Sequence, residues 1–138
     1  PNMFFPKSLL LYLSIGLCSI SGSVQVVFNP DSVGSHRKKD KNVVKLLNHD
    51  SLGSTYLIVI WKEVPLHYHK DHFEQVYVLS GKGKMRLGKE ELKVKKGTLI
   101  IIPKGTPHAL KVTSRRPVRV ISFQAPFFDG EDRIFIRE

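Results

Sequence analysis

The chain has 138 residues, 41% of them hydrophobic, and 22 Lys and Arg against 12 Asp and Glu leave a formal charge of +10. That apolar content supports one compact core and excludes two, and the aromatic and β-branched residues from Val43 onward exclude disorder there. The positive charge admits an anionic partner, such as nucleic acid or a membrane surface, without choosing between them.

The first segment reads as an export signal. Met3 serves as a start, Lys7 gives a positive n-region, and Leu9 to Ile20 (LLLYLSIGLCSI) is an apolar stretch. At about a dozen residues the stretch falls well short of the roughly 20 needed to span a bilayer, and small residues follow it at Ser19, Ser21 and Ser23. A signal peptide over residues 1–23 and an exported mature chain, periplasmic or extracellular, are expected. Cys18, the single cysteine, leaves with that peptide, so any metal site must be built from His, Asp and Glu.

Residues 24–42 form a polar connecting segment, a loop or mobile arm, in which His36 is a solvated residue beside Arg37, Lys38 and Lys39. From Val43 the chain is a succession of short strand-like runs separated by turn formers. Val43 to Asn48 comes first, then a turn at HDSLGS. Thr55 to Val64 is apolar and β-branched, as in a strand buried on both faces. Glu74 to Leu79 ends at Ser80-Gly81, and GKGK (Gly81 to Lys84) reads as a hairpin corner. Gly83 to Leu87 and Glu90 to Lys96 alternate apolar and basic residues around Gly88. The runs TLIIIP, HALKVT and VRVISFQ follow, and the tail from Ala125 adds a last short strand or turn, with Phe127 and Phe128 packing on the body. No amphipathic helix of any length is present. So many short strands in residues 43–138 imply a single all-β domain, a sandwich or barrel.

The chemistry lies in the histidines. In PLHYHKDHFEQVYVLSG, His67 and His69 have the same parity in extended chain, about 7 Å apart, and so point the same way. Glu74 opens the next strand. Far downstream, GTLIIIPKGTPHAL brings His108 onto a strand after a turn fixed by Pro103, Gly105 and Pro107.

With these residues in view the sequence resembles the cupin superfamily. The first cupin motif is met by His67, His69, four residues, Glu74, six residues and Gly81, with Trp61 where the motif's leading glycine stands. The second is met by Gly97, Pro103, Gly105 and His108, with Val112 in place of an asparagine. The resemblance implies a jelly-roll β-barrel that holds one divalent transition metal through His67, His69, Glu74 and His108. Three imidazoles and a carboxylate suit Fe, Mn, Zn, Ni or Cu, and affinity order alone does not choose among them. His72, three residues after His69, is the competing ligand. Strand parity and the family pattern both favour His69, which leaves His72 at the mouth, read as solvated in preference to a proton carrier behind the ligands.

Alternation then places Val76 and Val78 on the face of Glu74, Leu110 and Val112 on that of His108, and Met85 and Leu87 opposite outward Lys84 and Arg86. These residues, with Trp61, are the pocket candidates, and the pocket they outline is apolar, suited to a small organic ligand. Lys82, Lys84, Arg86, Lys89, Lys93, Lys95 and Lys96 crowd one hairpin region. Without a nucleic-acid-binding motif they read as a solvated basic face, with attraction to an anionic envelope surface as the remaining use. A homodimer through sheet edges is also in keeping with the resemblance. Two functions are open: a metalloenzyme of dioxygenase type, with isomerisation or decarboxylation as further chemistries, and a non-catalytic small-ligand or metal-binding module.

Overall fold

A computed structural model of the protein describes residues 27–32 and 41–137; the expected signal peptide and His36 lie outside them. Regular structure in these residues is all strand, apart from one 3₁₀ turn at Pro30–Ser32. Ten strands follow: β1 (Val43–His49), β2 (Ser54–Ile60), β3 (Glu63–Tyr68), β4 (Phe73–Ser80), β5 (Lys82–Leu87), β6 (Glu90–Lys95), β7 (Leu99–Ile102), β8 (His108–Val112), β9 (Val118–Ala125) and β10 (Ile134–Phe135). They form two five-stranded antiparallel sheets, ordered β1-β2-β9-β4-β7 and β10-β3-β8-β5-β6. The two sheets together make the expected jelly roll.

Two connections stay within a sheet, and local chemistry explains both. Between β1 and β2 the Asp50 carboxylate accepts the amides of Leu52 at 2.8 Å and Gly53 at 3.0 Å, an Asx-type turn. Between β5 and β6 the two-residue turn places Gly88 at φ 60, where a side chain is strained. Every other connection carries the chain from one sheet to the other.

This crossing corrects two expectations. The Thr55 to Val64 run is not one strand, because the chain leaves the first sheet at Trp61-Lys62 and enters the second as β3. GKGK is not a hairpin corner either: β4 and β5 belong to different sheets, and Gly81 is the corner between them. Its φ is 85, and a Cβ there would lie 2.5 Å from the Pro117 carbonyl oxygen, so only glycine turns the chain at this point.

The apolar core lies between the sheets. Val78, Met85, Val94, Ile100, Val118 and Val120 belong to one buried cluster, drawn from the inward positions of five strands by the period-2 alternation. On β2 the other face is buried too: Leu57 and Val59 are at most 1% exposed. Each contributes about 1.5–3 kcal/mol by leaving water. Arg119, which pairs with Val59, donates to Asp31 at 2.9 Å and to the Pro30 carbonyl, and Lys45, which pairs with Leu57, lies over the Phe28 ring. Phe28, Pro30 and Asp31 of the polar connector, expected as a loop or mobile arm, thus contact this outer face.

Candidate metal centre

His67 lies near the end of β3 and His108 opens β8, and the antiparallel register pairs them directly across the strands. Their ring centroids are 4.1 Å apart. His69, just past β3, keeps the parity of His67, with its ring 5.1 Å from that of His67 and 5.3 Å from that of His108. All three are buried, and one ligating nitrogen of each lies within 4.8 Å of the others. The turn set by Pro103 and Pro107 fixes this approach, since Gly105, at φ 71, donates its amide to the His69 carbonyl at 2.6 Å. The two histidine-bearing segments are therefore bonded main chain to main chain.

Each imidazole is oriented through its Nδ1. That of His67 donates to the Pro65 carbonyl at 2.8 Å, that of His108 to the Thr106 carbonyl at 2.9 Å, and that of His69 to the Asp132 carbonyl. With the proton on Nδ1, a neutral imidazole presents its lone pair at Nε2. The Nε2 atoms of His69 and His108 are buried without a hydrogen-bond partner. They face Oε2 of Glu74 at 3.4 and 3.3 Å. The other carboxylate oxygen, Oε1, accepts from the Ser122 hydroxyl at 2.5 Å and from the Gln124 amide at 3.3 Å.

Lone pairs turned toward one another in a buried space repel unless a cation lies between them. The protonation tendencies of the groups differ. Burial, followed by the neighbouring His108, lowers the pKa of His67 to about 4, so its imidazole stays neutral. Burial alone would lower His69, but Glu74 and the Asp132 carbonyl outweigh it and the net shift is upward. Burial would raise Glu74, yet His108, His69 and Ser122 hold it well below the usual carboxylate range. An ionised carboxylate and three inward imidazoles fit a divalent transition metal.

The family model for the cupin domain matches residues 57–123. An uncharacterized protein from Aquifex aeolicus is 36% identical over 92 residues, 67% of this chain and 74% of that protein. An L-ectoine synthase from Aliivibrio fischeri is 33% identical over 95 residues, 66% of this chain and 74% of that enzyme. A shorter stretch, 59 residues at 41% identity, matches the quercetin 2,3-dioxygenase of Bacillus subtilis, covering 43% of this chain and 17% of that one. Among solved structures, a Klebsiella pneumoniae protein with a double-stranded β-helix domain superposes with a TM-score of 0.68 at 16% identity, covering 83% of this chain and all of that one. The chain belongs to the cupin superfamily.

Beside the histidines this cupin has a cavity of about 180 Å³ whose wall is mainly aliphatic. Of the pocket candidates, Val76, Val78, Met85 and Leu110 line it. Trp61, Leu87 and Val112 do not. Trp61 sits in the bend where the chain changes sheets, so the alternation of β2 does not extend to it. Leu87 and Val112, at the ends of β5 and β8, pack half-buried against the apolar cluster.

His72 is a further correction, because it is 9% exposed and not solvated. Its Nδ1 lies 2.6 Å from the Asp132 carboxylate and its Nε2 2.9 Å from the Phe127 carbonyl. The same carboxylate accepts the amides of Lys70, Asp71 and His72. Burial acts upward on the Asp132 carboxyl, but these bonds, the His72 contact first, together outweigh it and lower its pKa from 3.8 to about 2. Phe128 packs edge-on to both His69 and His72. The turn after His69 is thus clamped by a residue that sequence reasoning did not single out. Ser122 and Gln124 were also missed, though the alternation of Val118 and Val120 on β9 points to both.

Proposed function

We propose that this cupin holds a divalent transition metal through His67, His69, Glu74 and His108 and acts on a small, largely apolar organic molecule in the adjoining cavity. The observation that carries the reading is the pair of buried Nε2 atoms turned, without partners, toward Oε2 of Glu74. A bound ion would supply Lewis acidity or oxygen activation at that point. The chain's own contribution is to fix the imidazole lone pairs through three carbonyls, orient the Glu74 carboxylate through Ser122 and Gln124, and surround the substrate with hydrocarbon that excludes water.

Within that reading, oxygenase chemistry is preferred, because an aliphatic wall suits an apolar substrate and offers few groups to hold a polyhydroxylated one. The two relatives named for an activity are a synthase and a dioxygenase, so their similarity supports a cupin enzyme in general. The absence of a free general base among the described cavity residues favours the second reading, a binding module without turnover. The N-terminal pattern of residues 1–23 supports a further proposal, that the mature protein is exported.

Metal content of purified variants tests the site. His69→Ala is expected to lose the metal and His72→Ala to keep it; the reverse result would overturn the assignment. Oxygen uptake by Fe(II)-loaded protein over a panel of catechols and diketones tests the chemistry, and ligand binding with no turnover under any loaded metal would select the binding module.

A further inference from the structure

Among the described residues, five polar side chains line the cavity: Asn42, His67, Glu74, His108 and Arg133. Four are committed. Asn42 engages both ends of its amide with main chain, donating to the Glu63 carbonyl at 2.7 Å and accepting from the Trp61 amide at 3.1 Å. His67, Glu74 and His108 face one another in the metal centre proposed above. Arg133 is left. Its Nε is buried with no hydrogen-bond partner among the described residues.

Glu74, the only carboxylate among the described residues of the cavity wall, is occupied by Ser122, Gln124, His69 and His108. The guanidinium therefore has no counter-charge on the wall. A partly buried cation without one attracts an anion, and its planar fork of donors matches a carboxylate, which a mainly apolar cavity admits more readily than a doubly charged phosphate. The segment carrying Arg133 is placed by β10, where Phe135 pairs with His67 and its ring lies tilted 5.9 Å from the imidazole. Arg133 is thus set at the histidine end of a cavity that is otherwise hydrocarbon.

We propose that the ligand of this cavity is a small carboxylate with an apolar body, and that Arg133 is the residue that selects it. The guanidinium pairs with the carboxylate while Ile58, Ile60, Val76, Ile100 and Ile102 cover the hydrocarbon or aryl part. The inference rests on the cavity being the ligand site of this cupin, and it concerns which ligand enters.

Calorimetric titration with benzoate and with benzamide, which has the same shape and no charge, tests it on Zn(II)-loaded and on metal-free protein. Benzoate is expected to bind more tightly by about tenfold or more, the usual worth of a charge-assisted pair. Arg133→Met is expected to abolish that preference and Arg133→Lys to retain part of it, both with unchanged zinc content. Equal affinities, no binding of benzoate, or a preference that survives Arg133→Met would overturn the proposal. Zinc content separates the two levels: wild-type protein that takes up no zinc contradicts the metal centre, while the metal-free titration still decides the role of Arg133.

Discussion

The Ser122 hydroxyl donates to one oxygen of Glu74 and leaves the other to face His69 and His108. Removing it frees the carboxylate to rotate, so Ser122→Ala is expected to weaken metal binding by about 10–100-fold, read by competition with a chromogenic chelator. Asp132 governs the turn behind His69, and its pKa makes a separate prediction. A carboxyl whose folded pKa is depressed, here from 3.8 to about 2, adds stability that is complete above pH 4 or so and is lost as pH falls toward 2. Metal-free wild-type protein is therefore expected to lose more stability over that interval than Asp132→Asn, the two melting curves drawing together at the acid end. Much of this scale was legible: parity brings His67 and His69 together, and the turn residues around Gly105 bring in His108. Asp132 was not, because nothing local marks a side chain that bonds to amides some sixty residues earlier.

Strand identity was legible from alternation, but strand partnership was not. Lys62 and Glu63 interrupt the apolar run at Trp61 without saying that the next strand joins another sheet, and Gly81 looks the same in a hairpin as in a crossover. Gly81 and Gly88, both with positive φ, can be told apart by what surrounds them. At Gly88 nothing lies within 4 Å of an added Cβ, whereas at Gly81 the Pro117 carbonyl and the Val118 backbone do. Gly88→Ala is expected to cost about 1–2 kcal/mol, the strain of the left-handed region alone. Gly81→Ala is expected to cost more than that, because backbone of the β8–β9 connection must also give way. Urea unfolding of the two variants measures the difference.

At the level of the whole barrel, core and metal centre occupy different parts of one interior. The buried aliphatic cluster is complete without the histidines, so chelation is expected to lower the melting temperature and leave the fold intact. Saturating metal at about 100 times its dissociation constant adds roughly 2.7 kcal/mol of stability, if only the folded chain binds it. Differential scanning calorimetry with and without EDTA checks both statements. The basic surface belongs to this scale as well. Lys82 faces Lys95 and Lys84 faces Lys93 across β5 and β6, as the alternation led one to expect, and the field of a +10 chain favours the approach of anionic ligands.

The clamp formed by Asp132 also sets an order of events during synthesis. His67, His69 and Glu74 are made early, His108 follows some forty residues later in the sequence, and the carbonyl that orients His69 comes from residue 132. A ribosome must have passed that residue before the three imidazoles can be turned inward together. Completion of the geometry that the proposed metal needs is therefore a late step in the protein's biogenesis.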